Sequence, residues 1–315
     1  MDTRYCNFEE HALDWDSIFN LYWDSAQKAH SNEELIPIFD SIIQSVADYH
    51  LSIHTPNISI YKPLPVTYDY PLIYATNITG RNFFADSLIL YSPNILAGQL
   101  QKSADGDIQA ENQNYGYIHI HSFANTDDIT CYKSTLQAIQ TKSVKGIIVD
   151  LRGNNGGQLV CVEAFVSNFY SGKRILYQTC SRESKDNRTK MTPFQDYSQS
   201  GENTIPDDLP IIIIINAEVY SAANICAYIL ATFPNSMIIG SSSSSGGGTS
   251  SIEQFLPNGW VMSCPMDMKC YVNGLSCELP LEPDYLIEAN NLISGNIQWN
   301  SCVETAIELI DSLNE

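Results

Sequence analysis

Two turns in the sequence carry residues that could do chemistry, and each follows an apolar run. Residues 144–152 lead into Gly153-Asn-Asn-Gly-Gly157, and residues 210–216 lead into a turn that ends at Ser221. Continuous apolar strands are typical of a parallel sheet covered on both faces, where ligands bind beyond the carboxyl ends of the strands. One turn offers backbone N–H groups and the other a hydroxyl, which is the minimum equipment for acyl transfer.

Ser221 has two interpretations. It precedes a helical stretch at 222–230, so a helix dipole would favour negative charge near its hydroxyl, and the N–H of Ala222 is a candidate oxyanion donor. Serine is also a preferred helix N-cap, a purely structural role.

Gly156 and Gly157 are the candidates for the second oxyanion donor, and the sequence does not choose between them. Glycine allows a tight turn and lets a substrate carbonyl approach the backbone closely. The structural alternatives are a plain strand-to-helix connection or a phosphate cradle. Neither G-x-x-x-x-G-K nor G-x-G-x-x-G occurs in the chain, which disfavours a phosphate site.

The elements that must position these turns alternate along the chain and predict an α/β fold. Residues 1–50 read as a small unit of two amphipathic helices, with Ser31-Asn32 as a cap, and 51–115 as a short β-rich connecting region. Residues 116–315 read as the α/β core. The predicted core elements are strands at 117–120, 146–151, 211–215 and 237–240, and helices at 129–142, 157–170 and 221–232. The serine- and glycine-rich tract 241–250 predicts a flexible loop.

Three ordered motifs resemble the tail-specific, or C-terminal processing, serine peptidases. They are Asp150-Leu-Arg-Gly-Asn-Asn-Gly-Gly157, Tyr220-Ser-Ala-Ala, and Leu256-Pro-Asn-Gly259 followed by Glu282-Pro-Asp284. The resemblance covers roughly residues 115 to 290. It implies a fold related to the crotonase and Clp-protease core, with Ser221 as nucleophile. Many such peptidases carry a PDZ module before this core, but 51–115 is too short for one plus linkers, so we expect it to be missing.

A serine nucleophile needs a general base to accept its proton. Many members of this family use a lysine about 25 residues after the serine, but 243–248 is Ser-Ser-Ser-Gly-Gly-Gly. The chain therefore resembles the tricorn-core branch, which uses a histidine oriented by a glutamate. His50 fits that branch's early D-x-H element, although Tyr49 stands where glycine is common, and a neutral imidazole can accept and return the serine proton. The other histidines are His11, His30, His54, His119 and His121.

His119 and His121 alternate on a strand and so share one face, where they could face solvent, line a cleft or bind a metal, but no third ligand is apparent. We predict no metal. For the orienting acid, the resemblance implies Glu278, one residue closer to Pro283-Asp284 than expected, with Glu282 as the alternative. A solvated surface role is open for either glutamate.

Composition limits the partners. The formal net charge of −20 argues against nucleic acid or an anionic membrane, and no apolar run approaches the roughly 20 residues that span a bilayer. The nine cysteines lack C-x-x-C spacing and are odd in number, so we expect most to be small buried residues. The amino terminus shows no signal peptide.

The resemblance implies a serine peptidase that needs no cofactor and cuts polypeptides bound by β-addition at a strand edge. It also implies a place in the cell envelope, where such proteins usually work. Two alternatives stay open. One is a non-catalytic binding protein on the same scaffold, and the other is an esterase or amidase, although no G-x-S-x-G elbow occurs.

Overall fold

The computed structural model describes residues 5–67, 83–84, 88–102, 113–139, 144–184, 187–288 and 301–315. The helices are α1 Trp15–Lys28, α2 Asn32–Val46, α3 Ile129–Ile139, α4 Leu159–Val166, α5 Ala222–Leu230 and α6 Ser301–Leu313. The strands are β1 Ser52–His54, β2 Ser59–Tyr61, β3 Phe83–Phe84, β4 Ile89–Ser92, β5 Ile95–Lys102, β6 Gln113–Ile120, β7 Ile147–Asp150, β8 Lys173–Cys180, β9 Arg182–Ser184, β10 Asn187–Met191, β11 Gln195–Ser200, β12 Ile211–Ile215, β13 Ser236–Gly240, β14 Thr249–Phe255, β15 Val261–Val272, β16 Leu275–Ser276 and β17 Tyr285–Leu286.

An eight-stranded sheet carries both turns of interest. Its strands lie in the order β17-β13-β12-β7-β6-β5-β3, with β4 paired to β5. The strands from β17 to β6 pair in parallel, and Ile213 of β12 lies opposite Val149 of β7. Because parallel strands end at one edge, the turns after β7 and β12 leave the sheet side by side. The predicted α/β fold with parallel strands is confirmed.

The apolar runs form parallel strands because both of their faces are buried. Ile212 and Ile214 belong to one core cluster with α6, where Val303, Ile307 and Ile310 are buried. Since side chains alternate along a strand, the other isoleucines of β12 face the opposite side, and they are buried as well. Each buried Ile contributes about 1.5–3 kcal/mol relative to an exposed one.

A second, seven-stranded sheet has the order β11-β8-β15-β1-β2, with β14 and β16 paired to β15. A cluster of buried residues that includes Ile43 and Val46 of α2, Ile53 of β1 and Trp260 packs on it. The predicted cap of α2 is observed, since Ser31 Oγ accepts a hydrogen bond from the N–H of Glu34 at 3.3 Å.

The chain forms two compact units from interleaved segments. The first unit contains residues 1–64, 177–197 and 247–279, and the second contains 65–176, 198–246 and 280–315. The boundaries predicted from the sequence, near residues 50 and 115, are linear and do not coincide with these, because β8, β14 and β15 lie far along the chain from β1 yet share its sheet. The predicted lack of a PDZ module falls partly on residues 68–82 and 103–112, outside the described residues.

All cysteines except Cys131 are buried, as expected for small apolar side chains. Among the described helices, none combines the length and the hydropathy needed to cross a bilayer.

Candidate active site

Ser221 lies in the second unit, in a turn that forces its backbone into an unusual conformation. Its φ of 55° and ψ of −127° fall in a region that residues with a Cβ rarely adopt. The N–H of Ser221 donates to the carbonyl of Gly246 at 2.8 Å. Its side chain makes no capping hydrogen bond to α5. The structural interpretation of Ser221 as a helix cap therefore fails, and backbone strain of this kind clusters at functional sites.

The glycine-rich turn after β7 packs directly on this serine. A methyl group placed on Gly156 would lie 2.7 Å from the Cβ of Ser221 and 2.9 Å from the N of Ala222. Gly156 also has a φ of 106°, which a residue with a side chain rarely adopts. Only glycine lets the two turns approach this closely.

Asn154 fixes the turn. Its Oδ1 accepts a hydrogen bond from the N–H of Gly156 at 2.9 Å, and its Nδ2 donates to the carbonyl of Ile120 at 2.9 Å. The carbonyl of Asn154 accepts the N–H of Tyr220 at 3.1 Å, which ties the turn to the residue before Ser221. The N–H of Gly156 is thus already used inside the protein.

Two backbone amides remain for a ligand. Within the described residues, the N–H groups of Gly157 and Ala222 donate to no acceptor, and Gly157 is exposed. The N–H of Ala222 also sits at the amino end of α5, where the helix dipole favours negative charge. These observations favour Gly157 over Gly156 as the donor that pairs with Ala222.

A buried ion pair between Asp150 and Arg152 lies at the end of β7, next to the glycine-rich turn. Arg152 donates to Asp150 through Nε at 2.9 Å and through Nη2 at 2.6 Å, and the hydroxyl of Tyr117 donates to the same carboxylate at 2.8 Å. Burial alone would raise the pKa of Asp150, but Arg152 holds that pKa below its ordinary value. The carboxylate stays ionised and fixes the end of β7.

His119 and His121 share a face as predicted, with ring centroids 6.1 Å apart. His119 is fully buried, and its Nε2 lies 3.1 Å from the carbonyl oxygen of Arg152. Burial lowers the pKa of His119, so the ring is neutral and supports the turn. A solvent-facing role is therefore wrong for His119, whereas His121 is exposed.

His50 and Glu278 lie in the first unit. His50 is half-buried, and its backbone N–H donates to Asp48 Oδ1 at 2.9 Å. Burial lowers the pKa of His50 despite the nearby Asp48 carboxylate. The ring therefore favours the neutral form, which is the form that can accept a proton.

The structure separates the two candidate acids. Glu278 is buried, and its Oε1 lies 3.0 Å from Nε2 of His11. Burial raises the pKa of Glu278, while the contact with His11 opposes this. Glu282 is exposed and accepts from Ser243 Oγ at 2.5 Å. The surroundings favour Glu278 over Glu282.

Ligand atoms of His11, Asp48 and Glu278 lie within 4.8 Å of one another, a spacing that could hold a metal ion. Hydrogen bonds already account for the arrangement, because the hydroxyl of Tyr5 donates to Asp48 Oδ2 at 2.8 Å and His11 pairs with Glu278. Among the described residues no other such group occurs.

The tract 241–250 differs from the prediction of a flexible loop. Ser244 is buried, its Oγ donates to Asn224 Oδ1 at 2.6 Å, and the same oxygen accepts the N–H of Leu281 at 2.7 Å. The prediction from composition was wrong because a buried serine hydroxyl forms hydrogen bonds that fix the backbone, whereas a solvated serine does not. This fixed tract contains Gly246, whose carbonyl oxygen accepts the hydrogen bond from the N–H of Ser221.

Sequence reasoning missed three residues that organise these surroundings, namely His11, Asp48 and Asn154. Asp48 and Asn154 stand inside the motifs that point to His50 and to the glycine turn, so their position was a usable signal. His11 had no signal beyond its residue type, since it lies far along the chain from Glu278.

Fold and site together define an α/β protein with a strained serine facing a glycine turn, the arrangement of acyl-transfer enzymes. The chain belongs to peptidase family S41, whose family model matches residues 114–287, more than half of the chain. The resemblance to tail-specific peptidases is thereby confirmed.

Two relatives are similar in sequence. The carboxy-terminal processing protease CtpB of Bacillus subtilis is 24% identical over 153 residues, which cover 48% of this chain and 28% of that protein. The nisin-resistance protein of Lactococcus lactis subsp. lactis is 24% identical over 180 residues, 56% of each chain. The aligned regions thus span between about a quarter and little more than half of the length of these relatives.

Two solved structures share the fold. A Parabacteroides merdae protein assigned as a peptidase superposes with a TM-score of 0.74 at 20% identity, over 98% of this chain and 93% of that one. The tricorn protease superposes with a TM-score of 0.58 at 14% identity, over 100% of this chain and 36% of that one.

Proposed function

We propose that this protein is a serine peptidase that cleaves polypeptides through an acyl-enzyme at Ser221. The observation that carries the proposal is the strained Ser221 backbone packed on Gly156, with the N–H groups of Gly157 and Ala222 open to a ligand. A serine hydroxyl and two backbone amides without an acceptor are the groups that a tetrahedral oxyanion intermediate needs. Each such donor usually stabilises the transition state by about 3–4 kcal/mol.

The proposed reaction has an acylation step and a deacylation step. Ser221 Oγ attacks the peptide carbonyl carbon while its proton passes to His50, and the carbonyl oxygen becomes an oxyanion bound by the Gly157 and Ala222 amides. The C–N bond then breaks as His50 returns the proton to the leaving amine. Water then attacks the carbonyl carbon of the acyl ester while His50 accepts its proton. The ester bond breaks as His50 returns the proton to Ser221 Oγ, and the carboxylic acid is released. In this proposal Glu278 stabilises the imidazolium that forms on His50.

The proposed substrate is an extended polypeptide bound by β-addition at a sheet edge. CtpB is a carboxy-terminal processing protease by name, and the same site would serve cleavage near a carboxyl terminus or inside a chain. Resemblance to a nisin-resistance protein supports a place in the cell envelope.

A fluorophosphonate probe tests the proposal, because it reacts only with an activated serine. We expect labelling of the full chain at Ser221, confirmed by peptide mass mapping, and none in Ser221→Ala. Parallel assays on a peptide library and on simple esters then assign the substrate class. An unlabelled wild-type chain would identify a binding protein on the same scaffold, and turnover of esters alone would identify an esterase.

A further inference from the structure

His11 connects Glu278 to Asp48, which in turn contacts the backbone of His50. Its Nε2 lies 3.0 Å from Glu278 Oε1 and 3.5 Å from Asp48 Oδ2. The other Asp48 oxygen accepts the backbone N–H of His50 at 2.9 Å. A continuous chain of contacts thus runs from Glu278 through His11 and Asp48 to the backbone of His50, entirely within the first unit.

Two buried carboxylates lie close to the His11 ring in this cluster. Asp48 and Glu278 are both buried, and burial followed by the charge of Asp48 raises the pKa of Glu278. The nearby Glu10 adds negative charge, although it is paired with the ammonium of Lys269. Burial of His11 lowers its pKa, but hydrogen bonding to Glu278 and the charge of Asp48 outweigh this and raise it. The surroundings of His11 therefore favour a positive charge on its ring.

The amino-terminal segment holds His11 in place. The hydroxyl of Tyr5 donates to Asp48 Oδ2 at 2.8 Å, and Asn7 Oδ1 accepts from Thr249 Oγ1 at 2.8 Å. Tyr5 and Asn7 are fully buried, whereas the His11 side chain is 21% exposed. Residues 5–11 are therefore built into the surroundings of Glu278.

We propose that His11 is a positioning residue that holds the Glu278 carboxylate in its orientation, and that fixes the His50 backbone through Asp48. The inference rests on the proposed function, since the role of Glu278 and His50 is defined there. His11 touches neither substrate nor the reacting atoms in this scheme; it acts through the carboxylates.

Steady-state kinetics of His11 variants test this role. We expect His11→Leu to lower kcat about ten- to a hundredfold with KM within twofold, because misorientation of a catalytic group affects the transition state more than substrate binding. His11→Gln keeps a side-chain N–H donor for Glu278 and should recover a substantial part of the loss. His54→Leu, at an exposed histidine of β1 in the same unit, is the matched control. A kcat of His11→Leu equal to that of His54→Leu would overturn the proposal.

A readout that needs no turnover separates this inference from the proposed function. The NMR titration of the His11 ring should show a lower pKa in Glu278→Gln than in the unmodified chain, because the neutral amide removes the stabilising charge. An unchanged His11 pKa would refute the contact on which the inference depends. Failure of the proposed function alone would appear instead as full activity of Ser221→Ala.

Discussion

The Oδ1 of Asn154 accepts a hydrogen bond from the N–H of Gly156 at 2.9 Å, so this amide is already used inside the protein. Because the Gly156 N–H is occupied, we favour the exposed Gly157 as the candidate that pairs with Ala222. The oxyanion site that we propose therefore depends on an asparagine side chain that is itself fully buried.

Replacing that asparagine tests the relationship. Asn154→Ala leaves the Gly156 N–H and the Ile120 carbonyl without their partner, so we expect about 1–3 kcal/mol lower stability and a kcat reduced about tenfold or more. Asn155→Ala, at the exposed neighbour, should change neither quantity. Urea unfolding and steady-state kinetics measure both, and a fully active Asn154→Ala would show that the turn holds its shape without the side chain.

Gly156→Ala should damage the site more than its small volume suggests. The added methyl group would lie 2.7 Å from Ser221 Cβ and 2.8 Å from the Tyr220 carbonyl oxygen, at a φ of 106°. The two turns must separate, so we expect kcat to fall at least a hundredfold. Gly172→Ala shares a positive φ of 72° but has no neighbour within 4 Å, so it reports backbone strain alone. Equal activity of the two variants would contradict the packing argument.

Substitutions of Ser221 should separate strain from chemistry. Both Ser221→Ala and Ser221→Gly should lose peptidase activity, and Ser221→Ala should stay within about 1 kcal/mol of the unmodified free energy of unfolding. Glycine adopts a φ of 55° without steric cost, so Ser221→Gly should be more stable than Ser221→Ala by about 1 kcal/mol. Chemical denaturation provides the comparison, and a more stable alanine variant would rule out strain at this position.

The pH dependence follows from the lowered pKa of His50. A base must be neutral, so kcat/KM should rise with pH through a midpoint below about 6.5 and then level off. The free energy of unfolding should also rise with pH, because the unfolded chain binds a proton at His50 at a higher pH than the folded chain does. It should therefore decrease as pH falls below about 6.5.

His50→Gln should reduce the loss of stability at low pH. Part of the loss should remain, because burial also lowers the pKa of His119. Thermal unfolding between pH 5 and 8 tests this. An unchanged pH dependence in His50→Gln would place the titrating group elsewhere.

Local patterns predicted the strands and helices that carry Ser221 and the glycine turn. The run 211–215 was predicted and observed with the same bounds, because five consecutive isoleucines suit a strand buried on both faces. The predicted helix at 157–170 is observed as α4 followed by a short 3-10 turn, where Asn168 Nδ2 donates to the carbonyls of Ala164 and Phe165. The tract 241–250 was misjudged because composition does not show which serines become buried.

The sequence alone determined the α/β fold, the family and the segments that hold Ser221, His50 and Glu278, since each of these depends on periodicity or on a contiguous motif. Only the tertiary structure favoured Gly157 over Gly156 and Glu278 over Glu282, and brought His11 to Glu278. Those choices depend on hydrogen bonds and burial between residues distant in the chain, and neither spacing nor composition encodes them.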